Sequence, residues 1–230
     1  MKINGKIFLK GLSLIVAFII WTYLIQTLDV QPIGQKGTDV GFATFNSWFH
    51  KIIGVDMMLY TITDWLGLVP VFICMVFACV GAVQLIKRKS LLRVDFDVIL
   101  LGIYYVAVIF GYLIFEMIPI NYRPVLINGV MEASYPSSTT LLVLSVMPTL
   151  AFQVERRLKN YNIRKIITIL TYVFSAFMVI GRLVSGVHWF TDIVGSVFIS
   201  AGLYYMYKAV VLLIDKGEFK KWNFTKNFRN

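Results

Sequence analysis

The sequence predicts an all-α protein, a polytopic bundle of six transmembrane helices, and three observations carry that prediction. Of the 230 residues, 58% are hydrophobic and only 15% are charged, whereas a soluble domain has about a quarter of its residues charged. Mean hydropathy is +0.76. The apolar residues fall in long runs nearly free of charge, and the basic residues fall between those runs.

A helix needs about 20 mostly apolar residues to cross the hydrocarbon core. The first run, Gly11 to Leu28, is longer than a secretory signal core and is followed by no small-residue cleavage site, so it reads as a retained span. Between Asp29 and Asp64, Phe42, Phe45, Phe49, Ile52 and Ile53 recur at near-helical spacing, the pattern of an amphipathic helix lying in the membrane interface. His50 in that segment reads as a solvated interfacial residue. Trp65 to Ile86 is the second span; both cysteines, Cys74 and Cys79, lie inside it and read as small core residues. Val98 to Phe115 and Ala133 to Val154 are the third and fourth. Ile166 to Gly181 and Ile193 to Tyr207 are shorter and reach spanning length by extending past Arg182 and to Ile214, their polar ends turning inward or snorkelling. No repeat or soluble module interrupts the pattern, so residues 1–230 read as a single integral-membrane domain.

The basic residues test the span count independently. One side of the predicted bundle collects Lys2, Lys6 and Lys10, then Lys87, Arg88, Lys89 and Arg93, then Arg156, Arg157, Lys159, Arg164 and Lys165, and finally Lys208, Lys216, Lys220, Lys221, Lys226 and Arg229. By the positive-inside rule these are cytoplasmic, which gives a multi-pass protein of the cell membrane with both termini inside. The tail after Ile214 is expected to rest on anionic headgroups. The formal charge of +10 is accounted for in this way, and a nucleic-acid partner is excluded because no soluble basic patch exists to bind one.

Arg123, Arg182, His188 and Asp192 share the opposite, extracytoplasmic face. Ionisable groups at membrane depth cost roughly 2.5 to 3.5 kcal/mol each at a helix centre, so a group of them marks a functional site. Asp192 follows His188 by one helical turn, close enough to hold one ring nitrogen and leave the other free to attack. Arg182 offers a planar fork that suits phosphate oxygens.

Upstream on the same face stand Arg123-Pro124, then Pro136, Ser137, Ser138 and Thr139 where the fourth span starts. Arginine-proline, proline-serine, and then arginine, five residues, histidine, three residues, aspartate resembles the three-part signature of the type 2 phosphatidic acid phosphatase family, the integral-membrane lipid phosphate phosphatases. The resemblance covers about residues 115–214, and six spans is also that family's layout. It implies His188 as a nucleophile forming a phosphohistidine, Asp192 as its orienting partner, and Arg123, Arg182 and Ser137 as phosphate ligands. It implies no metal and no cofactor, and the substrate is a lipid phosphate held in the bilayer.

Two positions depart from the family pattern. Glu116 stands where the family has a lysine, and Thr139 where it has a histidine, so the usual general acid is missing. A positioned acid is worth about a hundred- to ten-thousandfold, most for a strongly basic leaving group. The site is therefore expected to favour a leaving group that departs unprotonated, as a lipid phosphate does when a polyprenyl diphosphate is cut. Glu132 or Glu116, with a pKa raised by burial, is the candidate substitute acid; being solvated or pairing with Arg123 is the plainer role for either. The residues leave open two other activities, a lipid phosphotransferase passing phosphate to a lipid acceptor and a lipid-binding or transport protein without turnover. Oligomeric state is not encoded in any of these features.

Overall fold

Residues 2–215 are described by a computed structural model, and helix follows helix along them: α1 (Lys2–Thr27), α2 (Ala43–Ile53), α3 (Met57–Leu66), α4 (Leu68–Arg88), α5 (Phe96–Met117), α6 (Ser138–Arg157), α7 (Tyr161–Val184) and α8 (Phe190–Asp215). Among the described residues, six stretches are long and apolar enough to cross a membrane: Gly5–Thr27, Met57–Arg88, Phe96–Met117, Ser138–Arg157, Tyr161–Val184 and Phe190–Asp215. The six expected spans are thus present, and the amphipathic pattern around Phe45 forms α2. The side chain of Lys2 and the basic tail from Lys216 to Arg229 lie outside the described residues.

Two boundaries differ from the sequence reading. The second span begins at Met57 instead of Trp65, because α3 continues into α4 across Gly67. Asp56 caps α3, its carboxylate accepting from the Leu59 N–H at 2.9 Å. The fourth span begins at Ser138 instead of Ala133, because Ala133 pairs with Tyr122 and the chain then bends through Tyr135 and Pro136 before the helix starts.

α6 is the axis of the bundle and packs against α4, α5, α7 and α8. It is the least apolar of the six spans and the most buried. Those facts are compatible because its polar side chains find partners on neighbouring helices: Thr149 Oγ1 with Tyr105 Oη at 2.8 Å, and Gln153 Nε2 donating to Tyr207 Oη at 2.8 Å. α1 runs antiparallel to α8, with Trp21 Nε1 donating to the Thr191 carbonyl near one end and Lys10 Nζ to Tyr205 Oη near the other.

That pairing sorts charge by height. The ends of α4, α6 and α8 and the start of α5 share a cluster of ion pairs, Arg88 with Asp95 at 2.7 Å, Arg157 with Asp97 at 2.8 Å, and Arg156 with Asp215. His188 and the two site arginines lie at the opposite end. Between α5 and α6 the chain folds back on itself. Tyr122 bridges Ala133 and Ile127 bridges Val130, around an Asn128-Gly129 turn in which both residues have positive φ, 51° and 78°.

Candidate active site

The returning segment from Asn121 to Ser134 supplies half of the site. The N–H of Arg123 donates to the Glu132 carbonyl at 3.1 Å and that of Ser134 to the Asn121 carbonyl at 2.9 Å, which sets Asn121, Arg123, Glu132 and Ser134 in register. The α7–α8 connection supplies the other half, and several bonds hold it. The Asp56 N–H donates to the Ser185 carbonyl at 3.0 Å, and His50 Nε2 donates to the Gly186 carbonyl at 3.0 Å. Trp189 Nε1 donates to the Tyr122 carbonyl at 2.9 Å, tying the connection to the returning segment. His50, expected in solvent, is half-buried and braces this loop, because α2 folds over the end of the bundle instead of lying apart from it.

His188 is 3% exposed. Its Nδ1 lies 3.2 Å from the Ser134 carbonyl and 3.1 Å from Ser134 Oγ. A proton on Nδ1 is satisfied by the carbonyl, which leaves the lone pair on Nε2. Nε2 is 3.5 Å from Arg182 Nη2. Burial first, then the positive charges of Arg123 and Arg182, hold the imidazole well below its ordinary pKa, so the ring is neutral.

Asp192 is fully buried. Its Oδ2 accepts from Ser134 Oγ and from the Trp189 N–H at 2.9 Å, and its Oδ1 from Asn121 Nδ2 at 3.3 Å. The distance from His188 Nδ1 to Asp192 Oδ2 is 3.8 Å, too long for a hydrogen bond. The expected direct contact is therefore replaced by a relay through Ser134, because the ladder that positions Arg123 also inserts Ser134 between the two groups.

Arg182 is 0% exposed and Arg123 is 7% exposed. Both guanidinium groups face the ring of Tyr60 on α3, at 4.8 Å and 5.8 Å from its centroid. Arg182 Nη1 also lies 3.5 Å from Asp64 Oδ1. Arg123 Nε is 3.1 Å from Glu132 Oε2, though not aligned with it as a donor. Among the described residues, Arg123 Nε and Nη1 and Arg182 Nε have no acceptor. Buried donors nearly always have a partner, so these unpaired, positively charged N–H groups beside a histidine are able to receive an anion.

The remaining candidates stand around this core. Ser137 holds the N-cap position of α6 without a side-chain capping bond, its N–H donating to the Asp192 carbonyl at 3.4 Å and its hydroxyl to Thr140 Oγ1 at 3.1 Å. Glu132 lies beside Arg123, with its side chain about one-third exposed. Glu116 is exposed on α5 and forms no hydrogen bond or ion pair with the described site residues. Thr139 and Asp64 line the polar mouth of a cavity of about 500 Å³ whose walls are Val71, Val108, Leu142 and Val146. A second apolar cavity of about 510 Å³ continues from it between α4 and α5, sharing Val71, Cys74 and Tyr105.

Sequence reasoning missed Tyr60, Ser134 and Asn121 as members of the site. Tyr60 and Asp64 are four apart on one helical face, just ahead of a long apolar run, and that spacing was their available signal. For Ser134 and Asn121 the signal was Asn128-Gly129, which marks a chain reversal that brings its flanks together.

Residues 103–214 match the family model of the PAP2 superfamily. The fold is similar to a crystal structure of a transmembrane PAP2 type phosphatidylglycerolphosphate phosphatase from Bacillus subtilis, with a TM-score of 0.64 and 19% sequence identity over 96% of this chain and 99% of that one. No curated protein matches the chain by sequence. Six apolar helices and a transmembrane fold of this kind make a multi-pass membrane protein.

Proposed function

Since residues 103–214 belong to the PAP2 superfamily, we propose that this protein is a membrane lipid phosphatase that works through a phosphohistidine on His188 at the extracytoplasmic face. One observation carries the reading. His188 presents a neutral Nε2 to the Arg182 fork, 3.5 Å away, while Ser134 holds Nδ1 from behind.

In the first half-reaction Nε2 attacks phosphorus and the bond to the leaving oxygen breaks, that oxygen keeping the electron pair. Positive charge develops on the imidazole, and the Ser134 carbonyl and the Asp192 carboxylate, acting through the Ser134 hydroxyl, stabilise it. Arg123 and Arg182 take the phosphoryl oxygens with N–H groups that have no other acceptor among the described residues. Water then attacks the phosphohistidine and returns the free imidazole. Two neighbouring, mostly apolar cavities support a lipid substrate: the first, lined by Asp64 and Thr139, and the second, between α4 and α5, offer apolar walls to a hydrocarbon chain.

The preferred substrate in this reading is a polyprenyl diphosphate, whose lipid phosphate leaves without needing a proton. Glu116 and Thr139 supply neither the cation nor the imidazole that a basic alkoxide would call for. The purified protein should release phosphate faster from a prenyl diphosphate than from phosphatidic acid or phosphatidylglycerol phosphate, and His188→Ala should release none from any of them. Faster turnover of phosphatidic acid overturns the substrate preference, and wild-type release by His188→Ala overturns the mechanism.

A further inference from the structure

Splitting a phosphohistidine with water requires a group that accepts the water's proton, and the carboxylates around His188 differ in their fitness for that task. Asp192 is sealed from solvent, with Ser134, Trp189 and Asn121 already donating to it. Glu132 stands against Arg123 on the returning segment, and Glu116 is out on the surface of α5. Asp64 is placed differently. Its side chain is 56% exposed and lines the cavity together with Ser138 and Thr139, at the end of the bundle where His188 stands.

Asp64 and His188 are also coupled through one guanidinium. Arg182 Nη1 is 3.5 Å from Asp64 Oδ1, and Arg182 Nη2 is 3.5 Å from His188 Nε2. The rigid fork therefore holds the carboxylate within about 9 Å of the nucleophilic nitrogen. A nitrogen–phosphorus bond, an attacking oxygen in line with it and a hydrogen bond from that oxygen to a base together span about 6 to 7 Å. A phosphoryl group bound between His188 and Asp64 fits that interval, with Arg182 flanking it.

Resting on the phosphohistidine reading above, we propose that Asp64 is the general base of the second half-reaction. The water oxygen bonds to phosphorus as the bond to Nε2 breaks. The electron pair of that bond returns to the imidazole, and the water's proton passes to the Asp64 carboxylate. Inorganic phosphate leaves, and Asp64 then releases its proton to solvent at the open mouth. With a leaving group that departs as an anion, the first half-reaction asks no proton of Asp64, which enters the second already a carboxylate.

The test is a rapid-quench experiment on a prenyl diphosphate labelled in its terminal phosphate, with wild type, Asp64→Asn, Asp64→Ala and His188→Ala. Asp64→Asn should release one equivalent of prenyl monophosphate per site at close to the wild-type rate and then stall, retaining the label as an acid-labile, alkali-stable adduct. Its steady-state rate should fall about a hundred- to ten-thousandfold. Formate added to Asp64→Ala should restore part of the turnover, a response that a purely structural aspartate would not show. Wild-type steady-state turnover in Asp64→Asn, or a slowed first release with no trapped label, overturns the base assignment and leaves the proposed function standing. Absence of label in every variant, with His188→Ala as active as wild type, removes the phosphohistidine and the base assignment together.

Discussion

A histidine is a useful nucleophile only while its ring is neutral, and the surroundings of His188 secure that state by burial and by two adjacent guanidinium groups. Its pKa lies below the usual value of about 6.5, so kcat/KM, corrected for substrate ionisation, should hold its plateau as pH falls from 7 through 6. An acid limb with its midpoint at 6.5 or higher would mean a solvated ring. Stability takes the corresponding sign: below about 6.5 the unfolded chain binds a proton that folded His188 refuses, so acidification through that window favours unfolding. Tyr60 acts on the arginines. With both guanidinium groups over its ring, Tyr60→Leu should weaken inhibition by inorganic phosphate about fivefold, roughly 1 kcal/mol, while Tyr60→Phe keeps most of it. Equal inhibition constants for the two variants would show that the ring does not hold the arginines. His188, Asp192, Arg182 and Arg123 were legible because charged residues stand out in an apolar sequence. Ser134 and Tyr60 were not, since a serine and a tyrosine near a membrane surface have many ordinary uses.

Among the elements, the α7–α8 connection sets where His188 stands. Gly186 has φ of +67°, and a Cβ there would lie 1.9 Å from the Gly54 carbonyl oxygen, which belongs to the segment bracing the loop. Gly186→Ala should therefore push the connection away from α2 and α3, costing at least tenfold in kcat and several degrees in thermal midpoint. His50→Ala removes one bond to the same loop and should cost less, about 1 to 3 kcal/mol of stability from the carbonyl it leaves bare. A Gly186→Ala protein with unchanged kcat would show that the loop does not position His188. The spans themselves could be read from hydropathy, but not all of their ends. α3 escaped notice as part of the second span because Asp64 and Gly67 interrupt the apolar run, although the helix passes both with little break.

For the molecule as a whole, two neighbouring cavities between α4, α5 and α6 share Val71, Cys74 and Tyr105, and the first is lined by Asp64, whose carboxylate lies 3.5 Å from Arg182. Gly102 lines the deeper one, and a Cβ there would meet nothing within 4 Å, so a large side chain can enter without a clash. Gly102→Phe should slow hydrolysis of a long-chain prenyl diphosphate and leave a short, water-soluble diphosphate unaffected; equal slowing of both would mean that no chain lies in the cavity. The sequence by itself determined six membrane-spanning helices, the grouping of basic residues toward one end, and four of the charged or titratable residues at the other. Those properties follow from the cost of desolvating each residue, which is local and adds along the chain. Only the tertiary structure decided that Ser134 stands between His188 and Asp192, that Tyr60 lies beneath both arginines, and that Asp64 shares the Arg182 guanidinium with His188. These contacts join residues far apart in sequence, and their geometry is set by how the helices pack, which no local pattern of hydropathy or charge encodes.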